Sequence, residues 1–388
     1  MPPGIDPARQ TGPMPYDVIV VGAGPAGSSA AHAAAVAGAR TLVLDRARFP
    51  RYKTCGGGLI GPTLGALPPD FQVPTRVDVH RATITLAGKR WADRRSDNGL
   101  IALVDRSEFD AALLVEARRA GAEVRDGVTV TGISEDSVQV TLATSDGPLT
   151  ARYVVGADGS TSRIGRYVGV TPDTVDLGLE VELETGCQAA RWDKRIHLDW
   201  GTDPGTYAWV FPKGDTLTVG VIQSRGNAPS TRAYLARFVE QMGLSSLTEV
   251  KSSGHLTRTR TATSPLSSGR VLVAGDAAGL LEPWTREGIS YAVRSGRSAG
   301  QAVAESLAEP AEVRSAYDRA IAATLVREMD AGRLALRAFA RNPAAMHHIA
   351  AHTRRGWQAF ERLVDGRTTL ADELERRHIR WGLRALAR

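Results

Sequence analysis

Three stretches of this 388-residue chain place reactive or ligand-binding residue types at spacings that suit chemistry. The first is Tyr16–Gly27, YDVIVVGAGPAG, with Gly22, Gly24 and Gly27 in G-x-G-x-x-G order. In that pattern the first glycine permits a tight turn and the second lets a pyrophosphate approach the backbone. The third allows close helix–strand contact. Asp45 lies 21 residues beyond Gly24, where a carboxylate can bind a ribose hydroxyl. The second stretch is Cys55 followed by Gly56, Gly57 and Gly58. So much backbone freedom beside a thiol suits close approach by something flat or charged, or else a flexible surface loop. The third is Tyr207, Trp209 and Phe211, three aromatics on one face of a strand that Pro212 ends. They would wall an apolar groove or simply fill a sheet core.

The elements that must hold these residues follow from apolar periodicity. Val18–Val21 is a β-branched run suited to a strand buried on both faces of a parallel sheet. Ser28–Ala37 is an alanine-rich helix whose N-terminal amides would face phosphates, and Gly38 stops it. Thr41–Leu44 forms the next strand. Val77–Trp91 reads as a hairpin turning at Ala87–Lys89, and 103–121 as a helix capped by Ser107 with Asp110. Leu177–Glu184 alternates apolar residues with Glu180, Glu182 and Glu184, which predicts a half-exposed strand. Together with 195–222 it makes 171–254 an antiparallel sheet covered by a Tyr234–Met242 helix. A buried strand at Arg270–Ala274 precedes Gly275 and Asp276, and a long helix starts near Gly288. The remainder is helical and arginine-rich.

Composition excludes several classes. The chain is 43% apolar and 23% charged, ordinary for a globular protein, with ample length for two or three domains. Net charge is +6, and only five of 48 basic residues are lysine, which reflects a GC-rich genome more than a binding surface. No compact basic motif with interleaved aromatics suggests nucleic acid. Two cysteines make no disulfide framework and suit a cytoplasmic protein. Met1–Pro15, with five prolines, reads as a flexible leader, and no run of 18 strongly apolar residues suggests a membrane span. No metal site is expected.

GAGPAG at 22–27, GADG at 156–159 and GDAAG at 275–279 resemble the FAD-binding pattern of the p-hydroxybenzoate-hydroxylase-like flavoproteins. Within that group YKTCGGGL at 52–59, YAWVFP at 207–212 with Gly220 after seven intervening residues, and GDAAGLLEPWTREGI resemble the geranylgeranyl reductase family. The resemblance covers roughly residues 16–310. It implies an α/β fold: a Rossmann-type FAD-binding domain from 16–76, 101–170 and 255–310, an inserted antiparallel-sheet substrate domain from 77–100 and 171–254, and a helical region at 311–388. The sequence departs from the family at Ile222, where the aromatic motif usually carries a second glycine.

By that resemblance Gly22, Gly24, Gly27, Asp45 and Arg46 hold the ADP end of FAD, and Ala26, Gly57 and Val130 also bind the cofactor. Arg106 reaches the cofactor, Asp276 binds the ribityl chain, Gly288 and Ile289 lie under the flavin ring, and Asp158 and Arg163 shape the ring-side turn or are structural. A helix N-terminus at Gly288 also suits the negative charge of a reduced flavin. Cys55 is the family's candidate proton donor, while Tyr207, Trp209, Phe211, Pro212 and Gly220 line the substrate groove. The implied activity is reduction of isolated double bonds in a polyprenyl chain, such as that of menaquinone or an isoprenoid lipid. No second strand–GxGxxG–helix unit exists, so the electron donor is either NAD(P)H bound transiently or a reduced protein carrier. Two alternatives stand beside this: an FAD-dependent monooxygenase or halogenase acting on an aromatic compound, and a flavin-holding protein of the membrane surface. At the carboxyl end Arg376, Arg380, Arg384 and Arg388 recur every four residues beside Ile379, Leu383 and Leu386. Residues 374–388 are therefore a basic amphipathic helix, for peripheral contact with the inner face of the plasma membrane or for packing on its own domain.

Overall fold

A computed structural model describes residues 16–201, 205–224, 227–307 and 313–388. The leader expected at 1–15 lies outside the described residues. The strand Tyr16–Val21 is central to an eight-stranded sheet, parallel on one side to Thr41–Asp45 and on the other to Gly147–Gly156. Val271–Val273 adds a further parallel strand beyond Gly147–Gly156. Val18, Ile19 and Val20 are fully buried, as a β-branched run covered on both faces requires. The strand order reverses at this first strand, which opens a crevice at its carboxyl end. The helix Pro25–Val36 begins there with Pro25 in its first turn. It packs against the long helix Ile289–Glu305, and Gly296 and Gly300 let the two backbones meet. A Cβ at either position would stand 2.0 Å from the Ala26 carbonyl oxygen or 2.2 Å from that of Ala30.

A second, seven-stranded sheet runs Glu249–Arg260, Pro172–Glu184, Thr216–Ser224, Tyr207–Pro212, Arg195–Trp200, Arg81–Leu86 and Lys89–Arg95. Its junctions are antiparallel except that between Arg195–Trp200 and Arg81–Leu86, which is parallel. The expected hairpin is there as the Arg81–Leu86 and Lys89–Arg95 pair. Thr75–Val79 instead joins a small sheet with Gly58–Leu59 and Ile101–Val104. One face of the large sheet is covered by the helix Ala228–Gln241, through Leu235 and Phe238. That helix starts earlier than its apolar spacing suggests because Asn227 caps it, accepting from the Ser230 amide at 3.0 Å.

One local expectation is corrected, and one left open is decided. The helix Arg106–Arg119 is capped by Asp105, which accepts from the Ser107 amide at 2.7 Å. Asp110 is freed from capping and turns inward to two arginines. At the carboxyl end the helix Arg377–Leu386 packs Leu383 and Leu386 against Ala338, Phe339 and Met346. Its apolar stripe is therefore used within the fold. The opposite face presents Arg377, Arg380, Arg384 and Arg388 with Trp381, which is 75% exposed. No helix among the described residues is long and apolar enough to cross a membrane.

Candidate active site

The three chemically suggestive stretches converge where the parallel sheet meets the inserted one. In the glycine turn, Gly22 has φ +103°, and a Cβ there would lie 2.2 Å from the Ala157 carbonyl oxygen. A Cβ at Gly27 would lie 1.7 Å from that of Gly22. Both positions are filled by the protein. Around Gly24 only Arg51 Nη2 comes near, at 3.4 Å, so the crevice above it is open. Gly24 also leaves the first amides of its helix without a side-chain cap. Arg51 bonds Asp110 through Nη2 at 3.0 Å, while its buried Nη1 has no partner. Open backbone, uncapped amides and an unpaired guanidinium nitrogen together suit a diphosphate.

Asp45 braces this turn, accepting from the Ala23 amide at 2.7 Å and the Ala47 amide at 2.8 Å. Arg46 beside it is exposed. Val130 opens a strand just after Val128, whose amide donates to the Asp45 carbonyl at 2.8 Å. Asp158 is turned toward its own chain. It accepts from the amides of Arg163 and Ile164 and from the Ser162 hydroxyl, and so fixes the start of the helix Arg163–Val168. Its carboxylate braces the start of that helix, the structural role that the sequence left open beside a role in the ring-side turn.

On the far side Asp276 sits in a 3₁₀ turn, 3.5 Å from His255 Nε2. Burial alone would push this acid up, but His255, Lys53 and Arg106 outweigh it and hold Asp276 below the usual carboxylate range. Gly288 begins the long helix without a side-chain cap, and Ile289 is buried beside it. The Arg106 guanidinium is buried and binds Asp110 in a bidentate pair at 2.8 and 2.9 Å. Burial disfavours its charge, yet Asp110 and the Cys55 sulfur more than offset this and raise its pKa. Burial and neighbouring Arg106 pull Lys53 below the usual lysine range, against Asp276 and Cys55. Cys55 is therefore flanked by two basic side chains.

The glycines after Cys55 serve packing more than openness. A Cβ at Gly56 would lie 2.8 Å from the Phe211 ring and 3.2 Å from Trp209 Nε1. Gly57, at φ +73°, passes 2.2 Å from the Val104 carbonyl oxygen by the same construction, and its amide contacts Cys55 Sγ at 3.4 Å. The loop is thus pressed beneath the aromatic strand. Gly220 is likewise filled: the Trp209 ring occupies the place of its side chain, 2.1 Å from an ideal Cβ. Ile222 is buried opposite Tyr207. Rings follow along the strand, Tyr207 to Trp209 at 5.7 Å and Trp209 to Phe211 at 6.4 Å. The ladder continues through Trp200 to Trp284, stacked at 5.5 Å, and to Phe339 at 5.1 Å. The Tyr207 hydroxyl donates to the Thr285 carbonyl at 2.5 Å.

Sequence reasoning passed over Arg51, Glu180, Lys213, His255, Trp284 and Phe339. Glu180 alternates with apolar residues as a solvent-facing acid would, but its face of the strand meets the other domain. Arg51 and Lys213 carry no motif, and Phe339 reaches the ladder from a helix more than a hundred residues away.

A family model described as an FAD binding domain matches residues 15–321. The geranylgeranyl diphosphate reductase of Rhodobacter capsulatus is 32% identical over 329 residues, 78% of this chain and 79% of that protein. Digeranylgeranylglycerophospholipid reductase 1 of Methanopyrus kandleri is 31% identical over 330 residues, 76% of this chain and 82% of that protein. A geranylgeranyl bacteriochlorophyll reductase-like protein from Thermoplasma acidophilum shares the fold. Its TM-score is 0.79 at 24% identity, covering 94% of this chain and 99% of its own.

Proposed function

The chain belongs to the geranylgeranyl reductase family of FAD-dependent oxidoreductases, and from that premise we propose that it saturates isolated C=C bonds of a prenyl chain. FAD held in this crevice would supply a hydride when reduced. An alkene with no neighbouring carbonyl cannot stabilise the charge that hydride addition leaves, so a positioned acid must deliver a proton to the other carbon. Cys55 is that acid. Its S–H bond breaks as the new C–H bond forms, beside the Arg106 guanidinium and Lys53.

The observation carrying this reading is the position of the Cys55 loop. Arg106 and Lys53 act on Cys55 and also on Asp276, and the rings of Trp209 and Phe211 press on Gly56 beside it. Gly22, Gly24, Ala26 and Gly27, with Asp45, Arg46, Val130 and the added Arg51, hold the ADP end. Arg106, Asp276, Gly288 and Ile289 serve the flavin end. The aromatic ladder lines the path of the apolar chain, with Ile222 narrowing it beside Tyr207. A lipid substrate suits a protein resting on a membrane, and the Arg377–Arg388 face with Trp381 is the proposed contact. Electrons come from NAD(P)H or a protein carrier visiting the crevice.

The test is to mix photoreduced protein anaerobically with geranylgeranyl diphosphate and with a geranylgeranylated lipid. Oxidation of the flavin with a mass gain of one H2 per bond supports the reading. NADPH oxidation that yields peroxide or a hydroxylated aromatic, with no gain on any prenyl compound, would replace it with a monooxygenase.

A further inference from the structure

The inserted sheet sends one acid toward Cys55 that the reading above leaves without a role. Glu180 stands opposite Ser253 on one neighbouring strand and Gly220 on the other, and Gly220 in turn stands opposite Trp209. Its side chain lies 1% exposed among the strands. Oε1 accepts from the Cys55 amide at 2.9 Å, from the Tyr52 hydroxyl at 3.1 Å and, at 3.4 Å, from the Ser253 hydroxyl. Oε2 is buried with no partner.

An ionised carboxylate with one oxygen wholly unsolvated is costly, and a neutral acid with its proton on Oε2 costs less because no full charge is buried. Burial pushes Glu180 up, as does Glu182 on the same strand, against Lys213, the Cys55 amide and Tyr52. Lys213 also donates to the Cys55 carbonyl at 3.5 Å, and Lys251 lies over the Tyr52 ring at 3.5 Å. Tyr52 and Ser253 Oγ are 2.9 Å apart, and Ser253 is partly exposed. Hydroxyls therefore run from the surface to the carboxyl.

We propose that Glu180 is a positioning residue and the proton reservoir of Cys55. It holds the cysteine loop through the Cys55 amide and returns to Sγ the proton that the thiol gives to substrate carbon. Each turn balances. The S–H bond breaks as C–H forms, the Oε2–H bond breaks as S–H is restored, and the carboxylate is refilled through Tyr52 and Ser253 from water. This rests on Cys55 being the donor.

The experiment uses the FAD-loaded full chain in a Cys187→Ser background, since Cys187 is the exposed second thiol. Glu180→Gln keeps the acceptor for the Cys55 amide but carries no proton to give. Iodoacetamide alkylation of Cys55, followed by intact mass, reads the coupling directly. The variant is uncharged at every pH, so it should alkylate at the wild-type rate at pH 6, where Glu180 is neutral, and about threefold faster at pH 9, where an ionised Glu180 would oppose the thiolate. A single turnover of reduced Glu180→Gln should stay within about twofold of wild type, while steady-state reduction falls about tenfold. Identical alkylation profiles, or equal losses in single and repeated turnover, overturn the reservoir. If Cys55→Ser reduces substrate at full rate, the donor reading itself has failed. If Cys55→Ser is inactive while Glu180→Gln turns over normally, only Glu180 loses its role.

Discussion

Gly56→Ala separates two explanations of the glycine run after Cys55. If the glycine were there to admit the flavin, a methyl group would expel or shift the cofactor. In this fold the methyl meets Phe211 at 2.8 Å, about 0.6 Å short of the 3.4 Å at which ordinary van der Waals contact begins, and Trp209 Nε1 at 3.2 Å. Neither ring can retreat freely, because Trp209 already covers Gly220 and Phe211 sits against Trp209. Overpacking of this kind costs about 1–3 kcal/mol, which a chain of this size tolerates. The loop must yield by several tenths of an ångström and carry Cys55 with it. A misplacement approaching 1 Å costs on the order of 10²-fold in rate. The variant should be folded and yellow, with prenyl reduction down roughly ten- to a hundredfold. Relief by Phe211→Leu should recover part of that loss. Anaerobic stopped-flow reoxidation of the reduced flavin by substrate is the assay. Colourless protein, or reduction at the wild-type rate, refutes the packing explanation.

Gly24→Val puts a branched side chain where the crevice is open and should give colourless protein, read from the visible spectrum after gel filtration. Cys55→Ser should bind FAD and accept electrons normally while prenyl reduction falls at least about tenfold, since a hydroxyl holds its proton far more tightly. Glu287 is raised to about 7, chiefly by burial, and its ordinary value is 4.5. The unfolded chain thus releases this proton first, and the stability it lends is full at low pH and lost as pH rises toward 7. Glu287→Gln should therefore gain in Tm relative to wild type between pH 5 and pH 8, and parallel curves in a thermal melt count against it. Arg380→Glu with Trp381→Ala leaves the inward Leu383 and Leu386 in place. It should abolish sedimentation with anionic vesicles while leaving the melt unchanged, and equal sedimentation removes the membrane contact.

What could be read in advance was whatever depends on local order. The glycine turn, the buried first strand and the Asp45 spacing all lie within about thirty residues, so periodicity alone locates them. What could not be read depends on which face of an element another domain covers. Glu180, Glu182 and Glu184 have the alternation of a solvated strand edge, and yet Glu180 is buried while Glu184 is exposed. Only the docking of the Cys55 loop, 125 positions earlier, distinguishes them. The carboxyl-terminal helix left two readings open for the same reason. Its leucines suited lipid or its own domain equally; Phe339 and Met346 claim them, and the face left over pairs arginine with Trp381.

The glycines show why one residue type carries two opposite messages. At Gly27, Gly56 and Gly220 the missing side chain is replaced by protein: a carbonyl oxygen, a phenylalanine ring and a tryptophan ring. Substitution there disturbs the fold first and the chemistry through it. At Gly24 the space is nearly vacant, and the nearest atom is a guanidinium nitrogen whose sister atom has no partner. A vacancy lined by an unpaired donor is the mark of a ligand, because a folded protein seldom leaves a buried donor unsatisfied without something to receive it. The criterion predicts different phenotypes for changes that look alike in sequence. Alanine at Gly220 should tilt Trp209 and lower substrate affinity with the flavin still bound. At Gly24 it should weaken FAD binding with the aromatic wall intact. Measuring FAD affinity and the KM for prenyl substrate on both variants tests it, and the same loss pattern in each would refute it.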